Sequence, residues 1–198
     1  MPPTPRAVRS LRWLLWPIAV VLSLAVVGQA SFAAFDAKVS NGGNSFGVGS
    51  VNLADDDSGS ALFAVSNLKP GSSGSRCITV TSSGTLPATV KLYTTDATTT
   101  KALASYISLT ITQGTGGSFS SCSGFAALSS GSAVYSGTIS AFTAAATSFS
   151  TGVGSWTPSG NGNEARTYSV GYTVSASTPD SAQGGAASFG LTWEAQNS

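Results

Sequence analysis

The stretch at residues 62–93, LFAVSNLKPGSSGSRCITVTSSGTLPATVKLY, decides the fold class because short apolar runs in it are separated by strong turn signals. At its centre Ile78 and Val80 alternate with Cys77 and Thr79, which is the period of a strand with one buried face. The SNLKPG run favours a type II turn before this strand, and SSGTLP favours a turn after it. The stretch therefore predicts strand, turn and strand, with no helix.

The same pattern extends along the chain, and no long helical periodicity occurs. It predicts strands at 46–53 (with a bulge at Gly49), 61–65, 77–81, 90–93, 106–112, 134–139, 168–174 and 189–193. It also predicts turns at 55–59 and 67–71, a turn of helix at 141–146 and a loop at 152–162. About eight or nine short strands indicate an all-β fold, a single antiparallel β-sandwich of jelly-roll type.

The N-terminal residues have the features of a secretory signal peptide. Three arginines precede the apolar run WLLWPIAVVLSLAVVG at 13–28, and a small-x-small tripeptide follows at 31–33. This order predicts a signal peptide over residues 1–33 that is cut between Ala33 and Ala34. The mature chain is then secreted to the outside of the cell.

An uncleaved membrane anchor is the alternative. No charged residue occurs from Trp13 to Phe35, and this length is enough to span a bilayer. Pro17 lies inside the run and would kink a spanning helix, while Gln29 and Ser31 are polar. These features favour cleavage, and in either case the membrane is reached only through this segment.

Removal of the signal peptide leaves an N-terminal arm at 34–45 and a β-sandwich domain at 46–198. This mature part carries six basic and eight acidic residues, so no basic patch for nucleic acid is predicted. Charged residues make up only 9% of the chain. A surface with so few charges repels copies of itself weakly, which favours self-association.

The two cysteines, Cys77 and Cys122, predict a disulfide, because an exported chain folds in an oxidising compartment. Two free buried thiols are the alternative. A metal site built on this pair is disfavoured, since the chain contains no histidine to complete a zinc site.

The absence of histidine also excludes Ser-His-Asp, Cys-His and HExxH arrangements. No phosphate-binding glycine motif occurs, so the sequence predicts a non-enzymatic protein with no catalytic residues and no cofactor. The weak calcium candidate is the pair Asp55 and Asp57, for which a solvated turn is the simpler interpretation.

Four aromatic residues at the C-terminal end of the chain also allow two readings. They could form a sugar-binding face, but their period of two favours core positions. They are Tyr168, Tyr172, Phe189 and Trp193.

Two segments, FAAFDAKVSNGGNSFGVGSVNL at 32–53 and the stretch at 62–93, resemble the TasA/camelysin family of exported Gram-positive proteins. The Ala-Phe-Asp start, the F-x-x-G-x-V-x-L run and the S-N-L-K-P-G turn occur in family order. The resemblance implies processing by an ER-type (SipW-type) signal peptidase and a jelly-roll domain at the surface of a Gram-positive bacterium or in its biofilm matrix. Camelysin-like members are also classed as metallopeptidases, but this chain lacks the histidine ligands.

The resemblance further implies that the processed arm can add as a strand to the next subunit. Residues Ala34, Phe35, Ala37 and Val39 would supply the apolar contacts, and the chain's partners would be itself or related matrix subunits. We therefore expect an exported structural protein, a fibre-forming or accessory subunit of the matrix. The alternative is a monomeric surface-binding module that recognises carbohydrate or protein through exposed loops.

Overall fold

The computed structural model describes residues 49–197. It contains nine strands and one α-helix. The strands are β1 (Leu53–Asp55), β2 (Ser73–Ser82), β3 (Ala88–Thr99), β4 (Ile107–Thr115), β5 (Ala126–Ala127), β6 (Ala133–Thr138), β7 (Val153–Trp156), β8 (Glu164–Val174) and β9 (Ala187–Asn197); the helix α1 is Ile139–Ala145. Among these residues no helix has the length and hydrophobicity that crossing a membrane requires.

The strands form two antiparallel sheets. In the larger sheet the order is β1-β2-β8-β4, and both β5 and β6 pair with β4. The smaller sheet has the order β7-β3-β9. Neighbouring strands in space are mostly distant in sequence, so the chain repeatedly crosses from one sheet to the other. The predicted all-β sandwich is thus confirmed.

The core lies between the sheets and is built from alternating residues of the central strands. Its most deeply buried members include Ile78 and Val80 of β2, Val90 and Leu92 of β3, Leu109 and Ile111 of β4, and Val170 of β8. Phe142 of α1 is fully buried and packs against Tyr135, with ring centroids 4.4 Å apart. The period-two alternation of the sequence therefore marked the buried face correctly.

The turn before β2 confirms the predicted type II geometry. The Ser72 amide donates to the Lys69 carbonyl at 2.9 Å, which closes a four-residue turn. Pro70 and Gly71 occupy its two central positions, and Gly71 has a φ of 84°. Glycine is favoured there because the third residue of a type II turn requires a positive φ.

Three of the predicted elements are wrong in the described residues. The first strand begins at Leu53, so the predicted strand and its Gly49 bulge do not exist from residue 49 to residue 52. Residues 61–65 form no strand, because no neighbouring strand pairs with them. The loop predicted at 152–162 contains β7, which pairs with β3 at the edge of the smaller sheet. Residues 46–48 of the predicted first strand lie outside the described residues.

Candidate functional site: the open edge of the smaller sheet

The smaller sheet ends at β9, which pairs only with β3 within residues 49–197. The ladder extends from the Ala88–Asn197 pair to the Thr99–Ala187 pair. On the side away from β3, the backbone amides and carbonyls of an edge strand have no strand partner. Such an edge can accept a further strand through main-chain hydrogen bonds.

A groove of about 1130 Å³ lies along this edge. One side is formed by residues 186–191 with Trp193, and the opposite side by residues 59–70. Ile78, Leu109 and Val174 of the larger sheet contribute to its lining, so the groove reaches down to the core between the sheets.

The inward-facing side chains of β9 are only half-buried, unlike those of the central strands. Phe189, Leu191 and Trp193 pack against the core on one side, while they line the groove on the other. Trp193 also contacts the buried ring of Tyr168, with centroids 5.2 Å apart. Apolar area on β9 thus remains available for contact with a further segment.

The opposite wall of the groove is irregular chain, although the sequence favoured a strand at 61–65. Leu62 and Phe63 are partly buried, and the Phe63 ring meets Tyr172 edge-on at 5.3 Å. Val65 is 50% exposed, a high value for a large apolar residue in this domain. Side-chain packing, without a hydrogen-bonded ladder, holds this wall against the larger sheet.

The aromatic residues considered for a sugar-binding face divide between core and groove. Tyr168 is 3% exposed and belongs to the core, and its burial raises the pKa of its hydroxyl strongly. Tyr172, Phe189 and Trp193 are partly buried and line the groove. The core interpretation is therefore confirmed for Tyr168, whereas the period-two pattern did not reveal that three of these residues border a cavity.

The disulfide predicted from the cysteine count is present. Cys77 of β2 is bonded to Cys122, which lies in the loop between β4 and β5, and their Cα atoms are 5.1 Å apart. The cross-link closes a sequence separation of 45 residues, and Cys77 is fully buried beneath it.

Asp55 and Asp57, two members of the acidic triplet at the end of β1, form local hydrogen bonds. The Asp57 carboxylate accepts from the Gly59 amide at 2.6 Å, which is a typical turn contact. The pKa of Asp55 is raised, first by partial burial and then by the neighbouring Asp57 carboxylate. A calcium site at Asp55 and Asp57 stays a prediction, and the turn geometry supports the simpler interpretation.

Residues 17–105 of the chain match the model of the family described as camelysin metallo-endopeptidase. This match supports membership of the TasA/camelysin family and confirms the resemblance seen in the motifs at 32–53 and 62–93. The family points to an exported, matrix-related protein associated with the membrane or the extracellular space of a Gram-positive bacterium. The search of curated proteins gave no match.

The metal site implied by the family's description does not fit the donor groups of this chain. The chain has no histidine, and both cysteines are joined in the disulfide. Within residues 49–197, no three acidic or cysteine side chains converge in a way that could hold an ion. Zinc in peptidases is held by histidine together with carboxylate, so we derive no reaction step through a metal.

The other predicted site residues lie outside the described part of the chain. These are the cleavage pair Ala33 and Ala34 and the arm residues Phe35, Ala37 and Val39. The groove along β9 was missed by sequence reasoning, although FGLTW at 189–193 was recognised as a strand. The position of β9 at the edge of its sheet depends on the order of the strands, which no local sequence pattern determines.

Proposed function

We propose that the mature chain is a structural subunit of the extracellular matrix that assembles by strand addition. The arm at 34–45 of one copy would enter the groove along β9 of the next copy. The observation that carries this proposal is that the outer edge of β9 has no strand partner within residues 49–197, together with half-buried apolar side chains at Phe189, Leu191 and Trp193.

The dimensions of the two partners support the proposal. The arm has 12 residues, which span about 40 Å when extended, at roughly 3.3 Å per residue. Strand β9 has 11 residues and a comparable length. The arm contains no proline and only two charged residues, Asp36 and Lys38, so its backbone is free to form a ladder.

The side chains also support the pairing. In an extended arm, Phe35, Ala37 and Val39 fall on one face, as alternate residues of a strand do. Burial of a phenylalanine or valine side chain contributes about 1.5–3 kcal/mol, which is roughly a tenfold to hundredfold gain in affinity. Head-to-tail contacts of this kind produce open filaments when the rotation does not close.

The proposal assigns no catalytic activity to the chain. This part of the proposal is supported by the donor groups of the chain, which lack the histidine of a zinc peptidase site. It also leaves the ER-type signal peptidase as a partner during export only, since that enzyme would create the free N-terminus at Ala34.

The first test is negative-stain electron microscopy of mature 34–198 with a free N-terminus, beside the same chain with a blocking tag before Ala34. We expect filaments only from the free N-terminus. Monodisperse particles in both samples, across concentration and pH, would contradict the proposal and favour the monomeric binding module.

A matched pair of variants tests the acceptor side. Leu191→Lys places a charge in the groove, whereas Thr192→Lys places the same charge on the next residue, which faces the other side of the strand. We expect filaments from the Thr192 variant and none from the Leu191 variant. A cooperative thermal unfolding transition in each variant would show that both are folded. Equal assembly by the two variants would show that the β9 groove is not the acceptor.

A further inference from the structure

The edge of the larger sheet, at β2, is covered in a different way from the edge at β9. Strand β1 pairs only with the end of β2, from Val80 to Ser82. Beyond that ladder, groups outside any strand bond to the edge: the Thr79 amide donates to Asp56 Oδ1 at 2.8 Å, and the Cys77 carbonyl accepts from the Ser120 amide at 2.9 Å.

The Asp56 carboxylate links this edge to the loop at 116–125. Its second oxygen, Oδ2, accepts from the Phe119 amide at 2.6 Å. One side chain therefore satisfies a strand amide and a loop amide together. Hydrogen bonds to a charged acceptor are stronger than neutral ones, so this bridge is a firm attachment.

The loop itself is shaped to lie close against the sheet. Ser118 and Ser121 bond to each other through both backbone groups, which closes a tight turn at the loop tip. Gly116 has a φ of 73°, and a Cβ there would clash with the Gly124 carbonyl oxygen. The disulfide from Cys122 to Cys77 then fixes the loop covalently to β2.

We propose that Asp56 and the loop at 116–125, here called the edge guard, prevent β2 from accepting a strand and so direct assembly to β9. An uncovered edge strand is a template for pairing with another chain. Many proteins protect such edges with charged side chains, but only 9% of this chain is charged. A loop held by a carboxylate and a disulfide provides the protection that charge does not supply.

This inference rests on the proposed strand addition, and hydrogen exchange measured by mass spectrometry separates the two. Mature 34–198 is compared at dilute and at assembling concentration, as wild type, as Cys77→Ser/Cys122→Ser and as Asp56→Ala. The Asp56 variant keeps the disulfide, so the test remains informative if the cysteine variant fails to fold. Asp57→Ala is the matched control, because the Asp57 carboxylate accepts a hydrogen bond from the Gly59 amide of its own turn and bonds neither to β2 nor to the loop at 116–125.

In dilute samples we expect the Thr79 amide to exchange about tenfold faster or more in Asp56→Ala than in Asp57→Ala, because a charge-assisted hydrogen bond is lost. On assembly, peptides covering β9 should gain protection in every variant. Peptides covering residues 73–79 should gain protection only in the two variants that disrupt the edge guard.

Three results would overturn parts of this account. Protection at β9 without added protection at 73–79 in either disrupted variant would refute the edge guard and leave the proposed function standing. Protection at 73–79 in the wild type would also refute the edge guard, since β2 would then accept strands while covered. Absence of protection at β9 in all samples would refute strand addition and the edge guard with it.

Discussion

Removal of the disulfide should lower the stability of the domain by an amount set by the loop that it closes. The perturbation is the double substitution Cys77→Ser/Cys122→Ser, which keeps the size of both side chains close to the original. The bond spans 45 residues, and the chain-entropy relation for a loop of that length gives about 4 kcal/mol.

The environment of the bond indicates that most of this stabilisation should be measurable. Cys77 is fully buried, but none of the fully buried core side chains lies in the loop at 116–125 that carries Cys122. The folded state should therefore survive the substitution, and the effect should come from the freer unfolded chain. For a domain of this size, about 4 kcal/mol corresponds to a fall in Tm of roughly 8–16 °C.

Differential scanning calorimetry of residues 34–198 measures this effect, at a protein concentration at which the sample is monodisperse. Ser121→Ala, beside the disulfide in sequence, is the control and should unfold close to the wild-type Tm. Wild type treated with a dithiol reductant should unfold at the Tm of the double variant. A fall of less than about 3 °C would refute the reasoning, because the cross-link would then add little constraint to the unfolded chain.

Three further predictions concern local contacts and chemistry. Thr94→Val removes the hydrogen bond from the buried Thr94 hydroxyl to the Ala146 carbonyl at 2.9 Å, so Tm should fall by about 2–4 °C. An equal fall in Tm for the control Thr89→Val would contradict a stabilising role for this hydrogen bond. Two hydrogen bonds from Ser159 lower the pKa of Glu164, and the bond from its hydroxyl has a larger effect than the bond from its amide. The stability that this carboxylate adds is therefore present above its ordinary pKa, and it is lost as pH falls through the lowered pKa. Thermal unfolding between pH 3 and 6 should therefore show a weaker pH dependence in Glu164→Gln than in wild type, and identical curves would rule this contribution out. Purified protein should not cleave casein if the proposal of a non-catalytic role holds, and a chelator-sensitive cleavage by homogeneous protein would overturn that proposal.

Strands and turns with strong local signals could be predicted from the sequence. Alternation of Ile78 and Val80 with Cys77 and Thr79 predicted β2, and the Pro70-Gly71 pair predicted its turn, because both depend on contacts within a few residues. The alanine-rich stretch at 141–146 was correctly assigned as a turn of helix, which the structure has at Ile139–Ala145.

The groove along β9 could not be predicted because it depends on which strands are neighbours. The run at 61–65 alternates like a strand, yet it has no ladder partner, and a strand exists only where a partner supplies hydrogen bonds. Conversely, β7 has only four residues and includes Gly154, so its local signal is weak, and its pairing with β3 determines it. The position of β9 at the edge of the smaller sheet, among residues 49–197, follows from the same long-range arrangement.

The pairing of β3 with β9 also has a consequence for the time at which the groove along β9 can form. Residues 88–99 must find residues 187–197, so the smaller sheet cannot form until about a hundred further residues have emerged. Proteins are made from the N-terminus onward, and β9 follows every other described strand. A partly synthesised or partly exported chain therefore lacks the groove, so under the proposed strand addition unfinished copies could not accept an arm.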